Sequence, residues 1–133
     1  MDFRRMRFLI NRLPMAKFRL LKAKSQATRI TPVLSDMPHG TNDMSPVERG
    51  YALIEAAETA VYIIEMELAE MQETLLKHID AIKDPLEEQA VRMRYLEGRS
   101  VREIAYSLNY SERRIFQVLS CAEHKINKSF EPR

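Results

Sequence analysis

Ser100-Val101-Arg102-Glu103-Ile104-Ala105-Tyr106-Ser107-Leu108-Asn109-Tyr110-Ser111-Glu112-Arg113-Arg114-Ile115-Phe116-Gln117-Val118 is the stretch on which the fold turns. Ser100 stands three residues before Glu103, the pattern of a capping box at a helix start. Val101, Ile104, Ala105 and Leu108 then recur at helical spacing. Asn109-Tyr110 interrupts that run as a tight turn. Ser111 is a second N-cap. Behind it Ile115, Leu119, Ala122 and Ile126, with Val118 beside them, mark the buried stripe of a helix over 112–128. Helix, short turn, helix is the spacing of a DNA-binding helix-turn-helix.

Working outward, Asp84-Pro85-Leu86-Glu87 repeats the capping-box pattern with Pro at the first helical position. It starts a helix over 85–96 that buries Leu86, Ala90, Met93 and Tyr95. Gly98 sits where a helix stops in a left-handed residue. Residues 84–128 therefore read as one helix-turn-helix domain, with a tail at 129–133. The first turn of its last helix offers Glu112, Arg113, Arg114 and, one turn on, Gln117. Arg pairs with guanine O6 and N7, Gln with adenine, and Glu accepts from cytosine N4. Ser111 at the helix N-terminus suits a phosphate oxygen, and Ser100 and Arg102 are further candidate phosphate contacts. The competing explanation is that these are solvated charges of a protein-binding helical domain. Cys121 is expected on or near the packed face, as a small hydrophobe.

Every seventh residue from Val47 is apolar: Val47, Ile54, Val61, Leu68, Leu75 and Ile82. A second seam, three residues on, is Gly50, Ala57, Ile64, Met71 and His78. This 3–4 repeat predicts one coiled-coil-like helix over 45–83, started by Ser45-Pro46-Val47-Glu48 and about 58 Å long at 1.5 Å per residue. So long an apolar seam needs a partner, either the N-terminal helices of the same chain or a second copy. The homodimer assigns Ile54, Val61, Ile64, Leu68, Met71 and Leu75 to oligomerisation. His78 is expected to be a packed or edge imidazole, since no second ligand type lies one turn away.

Residues 1–31 form a basic N-terminal segment, predicted as amphipathic helices over 2–12 and 15–29 with a break or kink at Pro14. Its basic face either packs against the acidic long helix, contacts nucleic-acid phosphates, or adsorbs to a membrane surface. Lys and Arg ringing the segment disfavour the last. Residues 32–44, with two prolines and Gly40, are predicted as a loop. Asp36 and His39 in it have no helix to make a pair of them.

The 133 residues carry a net charge of only +2, but segregated: +8 over 1–31, −2 over 32–44, −5 over 45–83 and +1 over 84–133. Asymmetry of this kind points to an anionic partner for one part of the chain. A single cysteine excludes an internal disulfide and a Cys-rich zinc site. No apolar run is long enough for a membrane span or a signal peptide, so a cytoplasmic protein that does not enter membranes is expected. No carboxylate pair, Ser/His/Asp order, phosphate loop or metal-ligand spacing occurs. The expectation is therefore no enzyme, no catalytic or metal site and no cofactor.

Glu88-Gln89-Ala90-Val91-Arg92-Met93-Arg94-Tyr95-Leu96-Glu97-Gly98-Arg99-Ser100-Val101-Arg102-Glu103-Ile104-Ala105, followed by Tyr110-Ser111-Glu112-Arg113-Arg114-Ile115-Phe116-Gln117-Val118, resembles region 4 of sigma-70-type factors. The whole chain resembles phage-encoded transcriptional regulators of the RinA/ArpU type, which share a basic start, a loop similar to Thr31-Pro32-Val33-Leu34-Ser35-Asp36-Met37-Pro38-His39-Gly40, a long acidic helix and this motif. The resemblance implies an all-α fold: a long coiled-coil-like helix, basic N-terminal helices and a C-terminal sigma-region-4-like helix-turn-helix. It implies major-groove contacts from Glu112, Arg113 and Gln117, and backbone contacts from Ser111 and Arg114. Sigma region 4 commonly has basic residues where this chain has Glu112 and Phe116, so the same promoter element is not implied. Sigma regions 2 and 3 have no counterpart, so a complete sigma factor is not expected. The expected function is a sequence-specific, dimeric regulator of phage or prophage transcription that binds double-stranded DNA, with RNA polymerase as a further partner. The alternative is a structural or adaptor coiled coil that binds a protein such as RNA polymerase.

Overall fold

The computed structural model describes residues 1–30 and 45–130, the side chains of 28–30 excepted. The loop expected over 32–44, with Asp36 and His39, lies outside the described residues. Five helices and no strand occur among the described residues: α1 Phe3–Ile30, α2 Pro46–His78, α3 Pro85–Val91, α4 Val101–Leu108 and α5 Glu112–Ser129. A 3-10 turn, Ile79–Ala81, ends α2, and a π-helical turn, Arg92–Leu96, extends α3. No described helix is long and apolar enough to cross a membrane.

The helix starts follow the chemistry expected of them. Glu48 N–H donates to Ser45 Oγ at 3.2 Å while Ser45 N–H donates to the Glu48 carboxylate at 3.3 Å, a reciprocal capping box. Ser100 and Ser111 cap α4 and α5 by accepting from Glu103 N–H and Arg114 N–H. Asp84 departs from the pattern. It accepts from Leu86 N–H at 2.9 Å, and Glu87 turns away to accept from Lys125 Nζ at 2.8 Å. Glu87 is buried with that cation as its partner, which satisfies it better than an exposed cap would.

Pro14 does not break α1, contrary to the expectation of two helices; the helix runs through it. A mid-helix proline costs about 3 kcal/mol, through a lost N–H and a clash with the preceding turn. Burial of Leu9 and Ile10 before it and Ala16 after it holds the helix on both sides.

The chain divides into two compact units. The first joins Met1–Ile10 to Glu67–Arg133. The 84–128 segment therefore does not build its core alone: Phe3, Met6, Leu9 and Ile10 are buried in the same unit, as are Leu68, Leu75, Ile79 and Ile82. The Phe3 ring lies 5.0 Å from that of Tyr95, which is wholly buried. α5 packs on α3 and α4. His78 is an edge imidazole, stacked 3.7 Å from Phe130 and hydrogen-bonded to Ser129.

The second unit, Asn11–Met66, contains the second part of α1 and the first part of α2. Gly50 comes close to Ala27: a Cβ built on Gly50 would touch the alanine Cβ at 3.4 Å. Lys17 and Glu65 pair at 3.7 Å.

The heptad seam is used inside the chain. Val61, Leu68 and Leu75 are buried in the monomer, and Ile54, Ile64 and Met71 are half-buried. Val61, Leu68 and Leu75 are therefore covered by their own chain, contrary to their assignment to oligomerisation, whereas Ile54, Ile64 and Met71 keep part of their surface open.

Candidate nucleic-acid interface

α4, the turn Asn109–Ser111 and α5 form one continuous surface element. Asn109 adopts a left-handed conformation with φ 60°, which Asn tolerates better than most side chains. Tyr110 N–H and Asn109 N–H both donate to Ala105 C=O, closing the end of α4. On the other side of α4, Gly98 has φ +71° and Arg99 N–H reaches back to Met93 C=O at 2.9 Å. A side chain at position 98 would be strained in that conformation.

α5 buries Ile115, Val118, Leu119, Ala122 and Ile126. At about 100° per residue, that fixes the opposite face. Arg113, Gln117, Ser120 and His124 lie within about 60° of one another around the helix, pointing away from the core. With Phe116 and Cys121 they line a shallow open groove along α5. Cys121 is exposed, which corrects its expected place on the packed face. It lies two residues past buried Leu119 and one before buried Ala122, and that step carries it outward.

The predicted contact residues fall as follows. Ser111, Glu112, Arg113, Arg114 and Gln117 are all exposed at the start of α5. Arg113 and Gln117 are central on the outward face. Glu112 and Arg114 flank it. Arg102, Arg113 and Arg114 make no ion pair among the described residues, whereas Arg92 and Arg99 are paired with Glu88 and Glu97. Ser100 and Ser111 spend an oxygen lone pair on their caps, and each hydroxyl proton stays free to donate to a phosphate oxygen.

Sequence reasoning missed the exposed aromatics. Phe116 sits beside Gln117 in the groove, 58% exposed, and Tyr106 on α4 is 87% exposed. Both follow from helical phase. Once Val101, Ile104 and Ala105 face inward, Tyr106 has to face out.

The element is held rigidly. Arg7 on α1 donates to Tyr95 Oη at 2.8 Å and to Glu123 on α5 at 3.0 Å, while Tyr95 Oη donates to the same Glu123 carboxylate. Burial, reinforced by Glu123, raises the Tyr95 phenol well above its ordinary range. Gln72 Nε2 donates to Tyr95 C=O at 2.9 Å. Lys125 and Glu87 tie the far end of α5 to α3. Several charges of the basic N-terminal segment are likewise engaged: Arg5 grips Glu67 with two bonds of 2.9 and 3.0 Å.

No family model matches this chain, and no curated protein and no solved structure matches it either.

Proposed function

We propose that this protein is a sequence-specific, double-stranded-DNA-binding transcription regulator that reads the major groove with the exposed face of α5 and acts as a homodimer. α4, its three-residue turn and α5 serve as the helix-turn-helix. One observation carries the reading: at the capped N-terminus of α5, Arg113, Gln117 and Phe116 are turned away from the core, and Arg113 has no protein partner among the described residues. Arg113 suits guanine, Gln117 suits adenine, and the Phe116 ring suits a thymine methyl. Arg102, Arg114 and the hydroxyls of Ser100 and Ser111 supply phosphate contacts that set register. The resemblance to phage-encoded, sigma-region-4-like regulators supports the same assignment.

The test is selection of a binding site from random duplexes at physiological salt, followed by Arg113→Ala. The variant is expected to lose about 1–3 kcal/mol on the selected site and to relax one base position. Equal losses on selected and random DNA would refute base reading by Arg113.

A second reading, a helical adaptor that docks on a protein such as RNA polymerase, draws on Tyr106. An aromatic this exposed, outside the α5 face, is a common interface anchor. Salt titration separates the two. Phosphate contacts give a linear fall of log affinity with log salt on random duplex DNA. No binding to DNA at low salt would favour the adaptor.

A further inference from the structure

We infer that a second copy of this chain packs along the outer face of α2 at residues 52–66 and into the groove beside it, as a parallel two-fold pair. The inference rests on the homodimer proposed above and names its surface. It does not depend on the reading of DNA.

Opposite the seam that α2 buries within its own chain lies another. Ala52, Ala56, Thr59, Ile63 and Met66 follow at steps of four and three residues, the alternation of a helix-pairing seam, and all five are exposed. Leu53 and Ala60, also exposed, widen the stripe on one side. Glu70 and Glu73 end it at the next positions in phase. The groove between this stripe and α1 has a floor of Ala16, Ala23, Ala57 and Ile64. Short side chains let a further helix approach closely. Among the described residues the unit buries only Ala16, Ala23, Gly50 and Val61.

Charge selects the occupant. The α1 rim of the groove carries Arg12, Arg19 and Lys22, none ion-paired among the described residues. The other flank of the α2 stripe carries Glu55, whose carboxylate is equally unpaired. A matching helix needs an apolar face with an acidic flank, and α2 is itself such a helix. Symmetry then fixes direction. A two-fold axis relating antiparallel helices brings like flanks together, basic rim against basic rim. An axis along parallel helices brings each basic rim to its partner's acidic flank. Lys22 lies between Ala27, which sits beside Gly50, and Lys17, which pairs with Glu65, so it stands near the level of Glu55.

The test is sedimentation equilibrium of the full chain over a wide concentration range, with circular dichroism as the check on folding. The wild type is expected to be a dimer. Ala56→Glu and Ile63→Glu should each raise the dissociation constant at least about tenfold with helix content unchanged. Lys22→Glu and Glu55→Lys should each weaken the dimer, and the double variant should recover it. In a Cys121→Ser background, Ala52→Cys should cross-link to its own copy on oxidation. In an antiparallel pair centred on Thr59 the two thiols would stand about 20 Å apart and would not. A wild type monomeric throughout overturns both the dimer and this surface. A dimer indifferent to Ala56→Glu and Ile63→Glu overturns the surface while the dimer stands. Absence of the Ala52→Cys cross-link overturns the parallel direction.

Discussion

The two units of the chain solve the burial problem differently. The unit formed by Met1–Ile10 and Glu67–Arg133 buries a core of large side chains that includes Tyr95, Ile104, Ile115 and Leu75, although Phe8, Tyr106 and Phe116 stay exposed. Among its described residues, the unit Asn11–Met66 buries little beyond alanines, a glycine and Val61, and leaves Phe18, Leu21, Tyr51, Tyr62 and Ile63 exposed. A pair of helices has only one mutual face, so the remaining apolar surface stays open until another helix covers it. The first unit is therefore a self-sufficient scaffold that holds α5 in a fixed pose. The second is a surface suited to association.

Two phenylalanines on one helix make the sharpest test of that contrast. Phe3 is 5% exposed in the first unit, and Phe18 is 65% exposed in the second. Phe3→Ala is expected to cost about 3–5 kcal/mol of unfolding free energy, by loss of buried ring area and the cavity left behind. Phe18→Ala should change it by no more than about 0.5 kcal/mol. Denaturant titration of the two variants checks this. Equal costs would erase the distinction between the units.

A smaller effect is expected at the start of α5. Ser111→Ala removes the acceptor for Arg114 N–H at 3.1 Å and should cost about 0.5–2 kcal/mol of stability. On the proposed reading it should weaken DNA binding as well, because the same residue sets the helix N-terminus assigned there to phosphate contact. Ser45→Ala removes the equivalent cap from α2 in the second unit. It should cost stability within the same range and leave DNA binding by a single α5 unchanged. Denaturation and binding, measured side by side, separate the two.

How much of this was legible in the sequence depends on whether the deciding contact is local. The α4–turn–α5 element was readable because its caps, its left-handed turn residue and its apolar stripe all lie within a few residues of one another. The long helix was readable for the same reason. Periodicity names the residues that are covered, however, and not the chain that covers them, so the repeat assigns Val61, Leu68 and Leu75 to a partner copy although their own chain covers them. The role of Met1–Ile10 could not be read locally, since Arg7 meets Glu123 across 116 positions of sequence. Glu87 looked like half of a capping box until Lys125, on another helix, took its carboxylate. The exposed stripe from Ala52 to Met66 was present in the sequence but masked by the stronger apolar seam on the opposite face.

Tyr95 gives a pH signature confined to the first unit. Its phenol is raised in the folded state, first by burial and then by Glu123, from an ordinary value of 10.0. The unfolded chain therefore ionises first. The stability contribution is complete below about pH 10 and is lost as pH rises beyond it. Tyr95→Phe should remove that alkaline loss from the unfolding profile. A profile unchanged by the substitution would mean that the phenol is not the group responsible.

The smallest expected effect is at Arg5 and Glu67, both well exposed at the surface of the first unit. The hydrogen bonds from Arg5 hold the Glu67 carboxyl below its ordinary range. Its contribution is present above the unfolded value and fades as pH falls through the folded one, on the acid side of the ordinary carboxylate range. Water screens so open a pair, and holding two long side chains together costs entropy, so the net gain is small despite the two-bond geometry. Arg5→Ala is expected to return the Glu67 titration, followed by NMR, to an ordinary carboxylate value while leaving the denaturation midpoint where it was. A marked fall in the midpoint would make this pair a fastener between α1 and α2, and the self-sufficiency of the first unit would then owe as much to charge as to its buried rings.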